Sequence, residues 1–192
     1  MPGLSARIAD SLIESRIIKE EDRGLYEYGI RQLFFTTLNL ITEVIIGIMS
    51  GMLMECITFL IAYIPLRRFA GGFHADSELR CYGVSTLMLC AGLTLIRIFQ
   101  GVRQALILPT LFIMGCGIIF AVAPVDCIAK PLDKMEHRVF RKRTRWILGV
   151  HIILFVLAFI KSRNIAVILV VADVMLSIML IFGIIKNKFS VR

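Results

Sequence analysis

The stretch Leu33–Leu66, LFFTTLNLITEVIIGIMSGMLMECITFLIAYIPL, decides the fold. A membrane-spanning helix needs about 20 consecutive apolar residues, and this run is too long for one. Ser50-Gly51 is the natural place to turn, which gives spans near 31–49 and 52–66. Pro65 is read as the exit of the second, because the residue before a proline is pushed out of helical geometry.

Working outward, further apolar runs give spans near 82–99, 104–124, 146–160 and 165–185, with Trp146 as an interfacial anchor of the fifth. Upstream, Leu4, Ile8, Leu12, Ile13 and Ile17 fall on one helical stripe while Arg7, Asp10, Glu14 and Arg16 lie elsewhere. That pattern predicts an amphipathic helix that either lies on the membrane surface or packs against a neighbouring chain. The expected architecture is all-α: a polytopic membrane protein of about six transmembrane helices behind an N-terminal interfacial helix. Residues 1–192 form one domain, with 1–30 an amphipathic, cytoplasmic segment. Composition agrees, since 58% of the 192 residues are hydrophobic and 19% charged, against about half and a quarter in soluble domains. Residues 1–30 carry no apolar run of the secretory-leader kind, so no cleaved signal is expected.

The net charge of +8 raises the question of a nucleic-acid partner. The basic residues sit in the loops between apolar runs, which points to topology and anionic lipid instead. Nucleic acid is set aside. Among the lysines and arginines, only Arg97, Arg103, Lys161 and Arg163 fall in the loops on one side of a six-span bundle. All the others flank the opposite side, so the positive-inside rule places both termini and the loop after Pro65 in the cytoplasm. The five cysteines, at 56, 81, 90, 116 and 127, lack zinc-ligand spacing, and a disulfide framework is not expected. No metal or other cofactor is called for.

The chemistry concentrates in that loop, Arg67-Arg68-Phe69-Ala70-Gly71-Gly72-Phe73-His74-Ala75-Asp76-Ser77-Glu78-Leu79-Arg80-Cys81. A thiol reacts as its thiolate, and imidazole is the usual acceptor of its proton. On an unbroken helix His74 and Cys81 would be about 10.5 Å apart along the axis, so a break is needed between them. Asp76 and Ser77, both good N-cap residues, supply it. A helix starting there puts Cys81 near its first turn, where the dipole favours a thiolate. Gly71 and Gly72 allow tight turns and offer backbone N–H groups to an oxyanion. Asp76 or Glu78 has the chemistry to orient His74, with Asp76 better suited to capping. On spacing alone, a lone cysteine beside an apolar helix is more often a small buried hydrophobe, and a lone histidine a satisfied polar residue.

The run RRFAGGFHADSELRC, followed by Tyr82-Gly83-Val84-Ser85, resembles the signature of the accessory gene regulator B family. Those are membrane cysteine endopeptidases of Gram-positive quorum sensing that process a small precursor peptide into a cyclic thiolactone or lactone. The likeness extends along most of the chain as a pattern of spans, and includes Ala123-Pro124-Val125-Asp126 and Lys130-Pro131-Leu132. Cys127-Ile128-Ala129 departs from the family's pattern between them. The resemblance implies Cys81 as nucleophile, His74 as its base, and Arg67 and Gly72 as supporting motif residues. It also implies a precursor-peptide partner with an amphipathic start and an acidic C-terminal tail.

The basic segment holding Lys134, Arg138, Arg141, Lys142 and Arg143 fits anionic lipid, and the resemblance adds capture of that acidic tail. A homodimer is in keeping with the extra amphipathic surface of a small bundle. Glu43, His151 and Asp173 fall inside spans, where ionisable groups are costly and take partners. A structural pairing, for instance of Glu43 or Asp173 with Arg97, is expected, and His151 is alternatively a neutral histidine hydrogen-bonded to a neighbouring helix. In the rival reading these four residues line the path of a small transporter or channel.

Overall fold

The computed structural model describes residues 2–75, 77–101, 106–126 and 132–190. The chain is helical almost throughout. Helix α1 (Pro2–Glu14) is followed by a 3-10 turn (Glu20–Asp22), then α2 (Arg23–Met49), α3 (Leu53–Ala70), α4 (Glu78–Gly101), α5 (Ile107–Val122), α6 (Lys134–Lys161) and α7 (Arg163–Ser190). Among the described residues, six helices thus follow an amphipathic first helix. Four stretches, Glu20–Met49, Glu78–Gly101, Lys134–Lys161 and Arg163–Phe189, are long and apolar enough to cross a membrane by length and composition. Helix α3 falls short because it carries Glu55, Arg67 and Arg68. Helix α5 is apolar, but its 16 residues reach only about 24 Å at 1.5 Å per residue, against a hydrocarbon core of about 30 Å.

The turn between α2 and α3 falls where the sequence puts it. Gly51 takes φ 67°, the left-handed conformation that ends helices cheaply only at glycine. Met52 N–H then bonds the Gly47 carbonyl at 2.9 Å. The two helices approach closely because Gly47 has no side chain. A Cβ there would lie 2.8 Å from that of Cys56.

Two boundaries differ from expectation. Helix α3 does not end at Pro65 but runs through it to Ala70. The missing N–H removes one intrahelical bond, a loss that membrane helices absorb through their neighbours. The helix stops only where Gly71 adopts φ 72°. Arg67 and Arg68 therefore occupy its last turn rather than a loop. Similarly, the basic residues from Lys134 to Arg145 are not loop but the opening turns of α6. A capping box starts this helix: Glu136 N–H donates to Asp133 Oδ1 at 2.6 Å, and Asp133 N–H to Glu136 Oε2 at 3.1 Å. Its reciprocal bonds satisfy two otherwise orphaned donors.

Helix α7 is the axis of the bundle. Residues 166–173 are buried in succession, and burial continues at Met175, Leu176, Ser177, Met179 and Leu180. A helix apolar on all sides belongs in the middle of its neighbours, and α3, α4, α5 and α6 all pack on it. Helix α1 packs back on α2, with Ser5 and Ala9 buried and Arg23 Nε bonded to Asp10 at 2.7 Å. Leu4 and Ile8 remain exposed.

Candidate active site

The Arg67–Cys81 motif leaves α3 at one end of the bundle, where its own Arg67 and two other parts of the chain hold it. Arg67, on the last turn of α3, donates from its two terminal guanidinium nitrogens to the carbonyls of Gly71 and Phe73. A planar fork is suited to bridging two fixed acceptors. The segment after α5 runs beside the loop: Val125 N–H donates to the Ala70 carbonyl at 2.9 Å, and Gly72 N–H to the Val125 carbonyl at 3.2 Å. From α7, the Met179 carbonyl accepts Phe73 N–H at 2.9 Å. Lys186 Nζ donates to the His74 carbonyl at 2.7 Å and lies over the Phe73 ring. Asn187 Nδ2 donates to the Asp126 carbonyl at 2.7 Å, fastening the second loop to the same helix end.

The glycine pair is needed for this packing. Gly71 and Gly72 have φ of 72° and 116°, and Gly71 N–H is used on the Arg67 carbonyl at 3.1 Å. A Cβ on Gly71 would run into the Val125 carbonyl, and one on Gly72 into the Arg67 guanidinium. With both N–H groups already bonded, the pair does not form the oxyanion site expected from sequence. Its work is to let the loop lie against Val125 and α7.

Helix α4 begins at Glu78, and Ser77 caps it: Arg80 N–H donates to Ser77 Oγ at 3.3 Å and Cys81 N–H to the Ser77 carbonyl at 2.9 Å. Cys81 thus sits on the first turn, half-buried. Tyr82 beside it is tied to α2 through Thr42 Oγ1 at 2.9 Å. Glu78 is engaged by Arg31 Nε at 2.7 Å, which makes it a link between α2 and α4 and not an orienting partner of His74. Asp76, the other residue considered for capping or orientation, lies outside the described residues. Tyr63 on α3 stacks on Phe59.

His74 is exposed on the loop, between the carbonyl clamps of Arg67 and Lys186. The protein around the ring partly desolvates it, and the charges of Arg67 and Lys186 add to this, so its pKa is held below the ordinary 6.5. Such a ring is neutral, and able to accept a proton, over a wider range of pH. No hydrogen bond joins His74 to Cys81 among the described residues. In unliganded sites such bonds are often long and close only around the substrate.

The basic residues of α6 divide in two. Arg138, Arg141 and Lys142, with Arg145, Trp146 and Ile153, line an open groove of about 540 Å³. Arg143 instead lies 5.1 Å over the Phe69 ring, itself edge-on to Phe140, and so fastens α6 to α3. Lys134 is exposed at the start of the helix. Lys130 and Pro131 lie outside the described residues, as do Cys127 and Arg103.

Arg97 is exposed on α4, and the pairing expected of it with Glu43 or Asp173 is not found. Glu43 accepts from Asn39 Nδ2, one turn away, at 2.9 Å. Asp173, fully buried, bonds His151 Nδ1 at 2.8 Å and accepts from Cys116 Sγ at 3.5 Å. Ser177 closes the cluster, donating to the carbonyls of Gly115 and Asp173 at 3.1 and 2.8 Å. These groups join α5, α6 and α7. Removing the carboxylate strands two buried donors, so Asp173→Ala should cost at least the roughly 1–3 kcal/mol of an unsatisfied buried donor, read as a fall in thermal stability in detergent. Asp173→Asn keeps an acceptor and should retain much of both fold and activity. A well-folded but inactive Asp173→Asn would move this residue into the site.

Fold and site together define a multi-pass, all-α membrane protein with a clamped Arg/Gly/His/Cys loop at one end. The chain matches the family model for accessory gene regulator B over residues 5–186, and it belongs to that family. An AgrB-like protein of Clostridium perfringens (strain SM101) is 29% identical over 93% of this chain and 86% of its own length. A second from C. perfringens (strain 13) is 28% identical over 84% and 78%. One from Listeria monocytogenes (strain HCC23) is 29% identical over 73% and 69%. No solved structure matches. Membership supports a role in processing the peptide of agr quorum sensing.

The residue types of the motif do not announce its supports, Met179, Lys186 and Asn187 on α7, nor the backbone contact made by Val125. Ala123-Pro124-Val125-Asp126 is a signal that was available. Its meaning is contact with the glycine pair.

Proposed function

We propose that this chain, as a single membrane domain over residues 1–192, is a cysteine endopeptidase that removes the C-terminal part of a quorum-sensing precursor peptide and supports its cyclisation. One observation carries the reading. Arg67, Val125 and α7 converge to fix the backbone on both sides of His74, while Ser77 caps the helix that presents Cys81.

His74 accepts the Cys81 proton, and the thiolate adds to a peptide carbonyl. The tetrahedral adduct collapses as the imidazolium gives its proton to the departing amine, leaving a thioester on Cys81. A Cys or Ser side chain of the same peptide then attacks that thioester, regenerates the thiol and closes a thiolactone or lactone ring. Hydrolysis competes with ring closure, and a site at the membrane surface that excludes water favours closure. The cationic face of α6 formed by Arg138, Arg141 and Lys142 suits the acidic tail of the precursor, or anionic lipid beside it. Purified protein in nanodiscs, given the short peptide encoded beside its gene, should yield a trapped thioester and a released tail by mass spectrometry. Release of neither would end this reading.

The distribution of lysine and arginine supports a cytoplasmic position for the motif end of the bundle. With Cys81 as the remaining cysteine, an impermeant maleimide should label it only after cells are opened. Labelling of intact cells would reverse the orientation and leave a cytosolic precursor without a route to the thiol.

A further inference from the structure

The opening turns of α6 carry more positive charge than the protein around them uses. Arg138, Arg141, Lys142 and Arg145 recur at intervals of three and four residues on one face of the helix, where like charges are neighbours and repel. None of the four has an ion pair among the described residues. Arg145 lies over the Phe120 ring of α5 at 4.3 Å.

The same face then changes character. It continues through Trp146, Gly149, Val150 and Ile153, which complete the open groove of about 540 Å³. Trp146, Val150 and Ile153 are exposed, and a Cβ on Gly149 would meet no atom within 4 Å. This half of the groove is therefore apolar and unfilled. At 1.5 Å per residue, the cationic half (138–145) and the apolar half (146–153) each rise about 10.5 Å. They meet at Trp146, and tryptophan sits at the level of the lipid headgroups. That depth puts the cations among phosphates and carries the apolar half about two thirds of the way down one leaflet of a hydrocarbon core about 30 Å thick.

We infer that this groove is a discrete site for one anionic phospholipid, with its phosphate among Arg138, Arg141 and Lys142 and an acyl chain along Gly149, Val150 and Ile153. An acidic peptide would satisfy the cations and leave the apolar half empty. A neutral lipid would do the reverse. A negatively charged amphiphile matches both halves at their spacing. The site lies at the motif end of the bundle, since Phe140 and Arg143 of α6 pack on Phe69 of α3, two residues after Arg67. It stands whether or not the chain cleaves a peptide.

Native mass spectrometry of the full-length protein in detergent, titrated with dioleoyl phosphatidylglycerol or dioleoyl phosphatidylcholine, tests it. One phosphatidylglycerol per chain should bind saturably, at least about tenfold more tightly than phosphatidylcholine. A Lys or Arg near an anionic lipid surface is worth roughly fivefold in binding, so Arg141→Gln with Lys142→Gln should weaken that first lipid by roughly 25-fold. Phosphatidylglycerol should raise the thermal stability of the unaltered protein and not of this variant. Gly149→Leu should fill the apolar half and also weaken the lipid. Lys134→Gln, an exposed cation outside the groove, should change nothing, whereas diffuse attraction to basic surface would register its loss. Competitors identify the occupant. Glycerophosphoglycerol, the same head without chains, should not displace the lipid at equal concentration, and neither should acetyl-Asp-Glu-Asp-Glu-amide. Displacement by the bare head would make this a free-phosphate site, and displacement by the peptide would give the groove to an acidic tail. Either result overturns the proposal, as do equal affinities for the two lipids.

Discussion

Cys81→Ala should abolish both precursor cleavage and the covalent adduct, because it removes the atom that would carry the acyl group. His74→Ala keeps the thiol but removes its base, and cleavage should fall by the roughly 10²–10⁴-fold that general-base catalysis supplies. Since the two act in one step, the double variant should be scarcely slower than the worse single one. The pH profile tests the same assignment. A base accepts a proton only when neutral, and the surroundings of His74 hold its pKa below 6.5. Activity should therefore persist at pH 6.5 and be lost as the pH falls through that lowered value. His74→Ala should lack this acid limb. Thioester and released tail are quantified together in nanodiscs. Tail release by Cys81→Ala would remove the nucleophile assignment outright.

The helices were legible because apolar runs in this chain are long and the breaks between them are marked. Ser50-Gly51 reads as a turn and is one, since only glycine enters φ 67° without strain. Pro65 and the basic run before Trp146 misled for a shared reason. Propensity and charge describe a segment alone, whereas α3 continues through Pro65 within a packed bundle and α6 extends its capped, charged turns beyond the apolar span. The buried pairing was harder still. His151 and Asp173 lie on different helices, and nothing in their spacing distinguishes that pair from Arg97 with Asp173. In the candidate site, residue types suggest His74 and Cys81 for the chemistry proposed above, and Ser77 announces the helix start. The purpose of the glycine pair was not legible. It depends on a carbonyl of Val125 and one of Met179, remote in sequence and silent as side chains.

Gly72→Ala and Gly183→Ala should each cut processing by roughly 10²-fold or more, the effect of moving a reacting group by about 1 Å, while leaving the bundle folded. The two press on the same contact from opposite sides. At Gly72 the backbone has φ 116°, a conformation costing other residues roughly 1–3 kcal/mol. A Cβ there would also meet the Arg67 guanidinium and lie 3.0 Å from the Met179 carbonyl oxygen. At Gly183 the new Cβ would sit 2.7 Å from the Gly72 carbonyl carbon and 2.8 Å from Phe73 nitrogen. Within a helix, alanine is favoured over glycine by about 1 kcal/mol, so Gly183→Ala does not weaken α7 itself. It should push the loop off the helix and displace His74 relative to Cys81. Gly117→Ala on α5, with nothing within 4 Å of its Cβ, is the control and should process normally. Thermal stability in detergent separates displacement from unfolding, and iodoacetamide labelling shows whether the Cys81 thiol is still present and accessible. A fully active Gly183→Ala would mean that the seat of the loop on α7 does not set the catalytic geometry, and Cys81 and His74 would then have to be brought together by the substrate itself.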